Sequence, residues 1–329
     1  MSLAFLHAHD CSEPHNDAVW GVAWTQDDNC VSISADGSIR QWTSATGQPH
    51  PSDASRPTTH TLGLNSLSVS PDGRRALYNS LEGLTCMWDL QTGELVGKFE
   101  SFVRSGDDVE PSWSASLHPN GDTYCSTGSS GNVTVHSAQP NNFGERLSTL
   151  SSGRAKFGMR CVHSPDGARV ALSNESGQIF IFDLESNSLV TTYSSHAMTV
   201  RSLAWSPDSS LLMSASDDKR LVLHDVRSPT KSAGGAVATL SGHTSWVLST
   251  DFSPDGRLAL SGSSDKSIKV WDIGTRTAVS TVQDTGEVWG VAWRPKPSAV
   301  GAGAGAFVSG GEDGAVRWWR GAGVGLGGA

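Results

Sequence analysis

The sequence predicts an all-β protein: a seven-bladed β-propeller of four-stranded antiparallel blades. Three periodic observations predict it. The first is a turn. Ser-Pro-Asp-Gly and its relatives return at Asp27, Asp72, Asn120, Asp166, Asp208, Asp255 and about Lys296, at intervals of 41 to 48 residues. A period near 40 to 45 residues, with several short strands per unit, is what radially repeated blades require. The second is a pair six residues apart, a tight-turn residue and the end of the third strand. It recurs as Asp36/Trp42, Glu82/Trp88, Ser130/His136, Ser176/Phe182, Asp218/His224, Asp265/Trp271 and Asp313/Trp319. The third is a His four residues before the first apolar strand position, at His15/Val19, His60/Leu64, His196/Val200 and His243/Val247.

Residues 237–272 show how one unit is built. Gly242-His243 leads into an alternating run from Val247 to Phe252, read as the first strand. Ser253-Pro254-Asp255-Gly256 makes a turn, and Leu258 to Leu260 the second strand. Asp265-Lys266 makes a tight turn, Ile268 to Trp271 the third strand, and Ala278 to Val282 the fourth. Each run is short, rich in β-branched residues, and bounded by Ser, Gly, Pro or Asp, whose chemistry favours turns.

The ends of the chain imply closure. Blade 7 shows three strands up to Trp319, while Leu3 to Ala8 has no partner ahead of blade 1. That segment is expected to supply the outer strand of blade 7, so that residues 1–320 form one ring. Residues 321–329 read as a disordered Gly-rich tail. The Gly-, Ala-, Pro- and Ser-rich insertions Pro49 to Thr59, Pro229 to Ala236 and Lys296 to Ala306 read as flexible surface loops.

Composition excludes several function classes. The chain has 329 residues and a formal net charge of -9 without a block of like charge, so no phosphate grip and no direct nucleic-acid binding are expected. No basic and apolar leader stands at the N-terminus, and no apolar run approaches the roughly 20 residues of a membrane-spanning helix. Five dispersed Cys without a Cys-x-x-Cys pair read as reduced, buried thiols. The His lack metal-ligand spacing, and Gly301 to Gly305 lacks the third Gly and the helix of a dinucleotide loop, so neither metal nor cofactor is expected.

The Gly-His … Ser-Pro-Asp-Gly … Trp-Asp pattern resembles the WD-repeat family over nearly the whole chain. Blades 3 and 4 lack the His and the Trp-Asp, and blade 7 has Asp284 where the His stands. Ser, His and Asp within one unit look like hydrolase parts. Yet His243, Asp265 and Trp271, with a Ser at 261 or 263, recur as His15, Asp36 and Trp42 in blade 1. A catalytic site occurs once, whereas a structural device recurs with the repeat. The resemblance implies that these residues form a buried hydrogen-bond chain bracing each blade. No catalytic residue is expected. In blade 5, His224 replaces the Trp.

The Trp residues sort by strand position. Trp24, Trp205 and Trp293 end first strands, where Phe252 stands in blade 6, and read as core. Trp20, Trp113 and Trp289 follow the position equivalent to Val247, and Trp246 precedes it. Their counterparts are Asn65, Met159 and Arg201, with Phe157 just ahead in blade 4. That position opens a strand at the narrow, top face beside the central channel. Aromatic residues, Met and Arg gathered on one face are the composition of protein-binding hot spots. Asp217, Glu175 and Glu312 join them, with Asp17 and Glu287 near the strand starts. The predicted partner-binding set is Trp20, Trp113, Phe157, Arg201, Asp217, Trp246 and Trp289, and the expected ligand is a short peptide with a basic residue and an apolar anchor.

Residues 196–218, 241–255 and 263–277, and the run VWGVAW at 19–24 and 288–293, are similar to the WD-repeat subunits of superkiller complexes. That resemblance implies a non-catalytic scaffold. The resemblance implies as partners a helicase and a tetratricopeptide-repeat subunit, which feed messenger RNA to the exosome for 3′-to-5′ decay. It also implies a cytoplasmic location, with nuclear roles in the polymerase-associated factor complex and, in fungi, in meiotic double-strand-break formation. Two other readings share the fold: a histone-tail or ubiquitin-ligase adaptor, and a propeller enzyme. The last needs a unique set of polar residues in the channel.

Overall fold

A computed structural model describes residues 3–51, 57, 59–101, 111–227, 235–296 and 305–322. Within them, 28 strands form seven four-stranded sheets. Neighbouring strands in every sheet are antiparallel, as hairpin connections of a few residues require. The innermost strand of each blade packs on that of the next, and Val19–Trp24 packs on Val288–Trp293 to close the ring. The cores therefore lie between blades rather than inside one. Between blades 1 and 2, for example, Val31, Ile33 and Ile39 pack on Leu64, Leu67, Tyr78 and Trp88.

The Ser-Pro-Asp-Gly turn owes its recurrence to hydrogen bonding. In blade 6 the Ser253 hydroxyl donates to Asp255 (2.6 Å) and accepts the Leu258 N–H (2.9 Å), which joins the first and second strands. Ser206 and Leu211 repeat the arrangement around Asp208 in blade 5. Gly256 ends the turn at φ 69°, a left-handed conformation that costs Gly little. A second close fit explains the Gly of the two VWGVAW runs. A Cβ on Gly290 would stand 3.1 Å from the Val22 nitrogen and 3.2 Å from the Gly21 Cα, so the inner strands of blades 7 and 1 abut backbone to backbone.

The N-terminal segment closes blade 7 as expected. Phe5–Asp10 pairs antiparallel with Val316–Gly321, with a bulge between His7 and His9. Gly321, expected to begin the tail, is instead the last residue of that strand, and the Ala322 N–H donates to the Ala4 carbonyl at 2.8 Å. Residues 323–329 lie outside the described residues. So do 52–56, 58, 228–234 and 297–304, the greater part of the three insertions. At their margins Pro49, Ala236 and Ala306 belong to strands.

Candidate functional site

Two polar systems recur around the ring, one bracing the blades and one facing the channel. In blade 6 the Trp271 indole N–H donates to the Ser261 hydroxyl (2.8 Å), which meets His243 Nε2 (2.7 Å). His243 Nδ1 lies 2.9 Å from Asp265. Ser261, not Ser263, is thus the Ser of the brace. With Nδ1–H given to Asp265, Nε2 accepts the Ser261 hydroxyl, and that hydroxyl accepts the indole. Blade 1 repeats the chain through Trp42, Ser32 and His15, with Asp36 3.4 Å from His15. Every hydroxyl here is buried and hydrogen-bonded within the brace.

Other blades show what the brace tolerates. In blade 5 His224 takes the indole's place, 3.2 Å from Ser214, while His196 still joins Ser214 and Asp218. In blade 7 Trp319 donates to Ser309 (2.9 Å), and Ser309 donates to Asp284 (3.1 Å) in the position of the His. Asp284 then holds Arg317 (2.7 Å), which reaches Asp313 (2.5 Å) and Asp10 of the closing strand (3.4 Å). Brace and closure are one network there. In blade 2 Tyr78 replaces the Ser, and the Trp88 indole N–H is left without a partner among the described residues.

Burial and hydrogen bonding set the charges of these groups. Burial alone raises the Asp265 carboxyl, but hydrogen bonds from Ser267 and the Thr244 backbone, and the His243 ring, outweigh it and hold the pKa at about 2. Burial drives His224 down to about 3 and His136 down to about 4. Burial likewise takes His163 down to about 3. An ordinary His titrates near 6.5. Below that pH the unfolded chain binds protons that these three folded residues refuse. Their contribution to stability is therefore complete above pH 6.5 and is lost as pH falls towards 3 to 4. Each is expected to give up about 2 kcal/mol between pH 7 and pH 5, while Asp251, whose carboxyl is pushed up to about 7 by burial, returns about 2 kcal/mol over the same window, so the melting temperature should drop by roughly 5 °C. Thermal melts across that range test this; a flat profile contradicts it.

The predicted top-face residues do gather. Trp20, Asn65, Trp113, Met159, Arg201, Trp246 and Trp289 line one central channel of about 900 Å³. Trp20 and Trp289 stack at 6.2 Å and 18°. Phe157 joins through Trp113, edge to face at 5.4 Å. Arg201 lies over the Trp246 ring at 5.8 Å. Trp246 is 46% exposed, the most open of these rings. Asp217 is placed differently from its expected role. It is buried and takes a bidentate contact from Arg201 at 2.9 to 3.1 Å, so both charges are spent on each other. Trp24, Trp205, Trp293 and Phe252 are buried as expected, and they also form the wall of the far stretch of the channel.

Sequence reasoning missed a belt around the channel. An innermost strand has a free edge, and its N–H groups need acceptors. Ser66 accepts the Ala115 N–H (3.0 Å), Ser114 the Cys161 N–H (3.2 Å), Ser202 the Thr250 N–H (3.3 Å) and Ser249 the Val291 N–H (3.1 Å). Two residues further along, Ser68, Ser116 and Asp251 do the same for Leu117, His163 and Trp293. Each bond crosses from one blade to the next. The available signal was a Ser at alternate positions of successive first strands.

A closed ring of braced blades with an open aromatic face defines a protein-interaction propeller. The family model described as WD domain, G-beta repeat matches residues 4–43, 187–225 and 234–272. The chain is 37% identical over 293 residues to the meiotic recombination protein rec14 of Schizosaccharomyces pombe, covering 89% of each. It is 29% identical to WD repeat-containing protein SL1-17 of Schistosoma mansoni, over 65% of this chain and 69% of the relative. It is 32% identical to WD repeat-containing protein VIP3 of Arabidopsis thaliana, over 63% of this chain and 65% of the relative. The chain belongs to the WD-repeat family. The family model matches blades 1, 5 and 6, where His, Ser and Asp of the brace are all in place. Among the described residues no group of three metal-binding side chains occurs, and no helix is long and apolar enough to cross a membrane.

Proposed function

We propose that this protein is a non-catalytic scaffold that seats a partner's peptide on its Trp-rich face, within an assembly of the superkiller type supporting exosome-linked 3′-to-5′ mRNA decay. The observation that carries the reading is the aromatic mouth of the channel, with Trp246 the most open ring. Large apolar rings left open beside a channel mark a contact surface. An apolar anchor suits the rings, and Glu287 on the channel wall, with the exposed Glu175 and Glu312, suits a basic residue of the same peptide. A role in meiotic recombination stands beside this one, supported by the similarity to rec14 over most of both chains. The location that goes with both is cytoplasmic with a nuclear fraction.

Affinity purification of the tagged full chain, read by mass spectrometry, tests the assembly. A large helicase and a tetratricopeptide-repeat protein are expected. Recovery of a methyltransferase or ubiquitin-ligase set in their place overturns the superkiller assignment and favours the adaptor reading.

A further inference from the structure

The belt around the channel has one charged interruption. At the position of Ser66, Ser114, Ser202 and Ser249, blades 7 and 1 carry Gly290 and Gly21, and blade 4 carries Arg160. The Arg160 side chain faces the channel. Its Nε is buried without a hydrogen-bond partner, and no carboxylate stands within ion-pair distance among the described residues. Burial holds the guanidinium below its ordinary pKa, which marks the cost of keeping the charge there. Two other ionisable groups on the channel wall are already engaged, and burial pushes the carboxyl of one of them, Asp251, up to about 7. Arg201 is bound to Asp217, and Asp251 accepts the N–H groups of Phe252 and Trp293.

Arg160 is only partly exposed, and a half-buried cation without a counter-ion is costly to a fold; such exceptions collect at functional sites. The missing partner is an anion. One guanidinium matches one planar, singly charged group, by a bidentate contact. Glu287 on the channel wall, the exposed Glu175 and Glu312, and the net charge of -9 repel a polyanion such as nucleic acid. Arg160 follows Met159 directly, on the strand beside Trp113. We propose that a carboxylate of the partner peptide enters the channel beneath the aromatic ring and pairs with Arg160. This rests on the reading of the top face as a peptide seat. It adds a buried anionic anchor to the apolar and basic contacts at the rim. The carboxylate belongs to an Asp or Glu side chain or to a chain end.

Selection of random 12-residue peptides on the full chain tests this, with the peptides displayed both internally and with a free C-terminus. Enriched peptides are expected to carry one carboxylate at a fixed distance from an apolar residue. The two display formats tell a side chain from a chain end. Synthetic copies should lose at least ~10-fold in affinity on Glu→Gln change or C-terminal amidation. Arg160→Gln should lose a similar factor and no longer distinguish the two copies. Enriched peptides that need Trp246 but hold no fixed carboxylate overturn the Arg160 assignment while the peptide seat stands. No enrichment at all overturns both. Thermal melting separates a structural role: Arg160→Met should leave the melting temperature unchanged or raise it, and a fall of more than about 5 °C contradicts the proposal.

Discussion

Replacing Trp246 and Trp289 together by alanine is expected to abolish partner binding while the ring stays folded. Trp246, 46% exposed, gives up its contact with the Arg201 guanidinium at 5.8 Å, worth about 0.5–1 kcal/mol at a surface, and the packing of its covered half. Trp289 gives up its stacking on Trp20, worth about 0.5–1.5 kcal/mol beyond buried area. A central interface Trp costs about 2–4 kcal/mol of binding when truncated, so the pair should weaken binding by at least ~100-fold. Titration calorimetry against the co-purified subunit reads the affinity, and a thermal melt reads the fold. A variant that melts normally and binds unchanged would falsify the top-face reading. A variant that binds weakly because it has unfolded is recognised by its melt, and Trp246→Ala alone then carries the test.

Ser261→Ala is expected to be the most damaging single-atom change in blade 6. The Ser261 hydroxyl is the acceptor for the Trp271 indole and the partner of His243 Nε2. Removing it strands two buried groups, each at a cost of about 1–3 kcal/mol. The melting temperature should fall by roughly 3–10 °C. Ser263→Ala is the control. Its hydroxyl reaches the Ser245 carbonyl at 3.5 Å and accepts only the Asp265 N–H at 3.1 Å, so it should cost much less. A Trp271→Phe change should be costly alone and nearly free on the Ser261→Ala background, because the stranded indole N–H is then gone. Equal losses from Ser261→Ala and Ser263→Ala would show that the brace does not run through Ser261.

Much of this molecule is legible along the chain. Seven turns, seven third-strand ends and four His positions repeat in step. The closing role of the N-terminal segment follows from counting strands, because a sheet edge left open in a ring must find a partner. The Trp at the channel mouth are also legible, since strand position alone separates Trp20 and Trp289 from Trp24 and Trp293. What the pattern could not supply were contacts between residues far apart in sequence. Asp217 and Arg201 each looked open to a ligand, yet they hold each other. Arg317 is unremarkable beside Asp313 in sequence, and only the ring brings Asp10 and Asp284 to it. Ser66 and Ala115, 49 residues apart, meet across two blades.

The division has a physical cause. Strand, turn and blade are decided locally, by the two-residue alternation of side chains, the φ preferences of Gly and Asp, and a hydrogen-bonded turn within five residues. Those local rules repeat, so the sequence by itself determined the fold, the number of blades and the face on which Trp would gather. Charge pairing and edge satisfaction are decided by distance in space, and the ring sets those distances only when it closes. The tertiary structure therefore decided that Asp217 is spent, that Ser261 rather than Ser263 carries the brace, and that Arg160 faces the channel without a counter-ion.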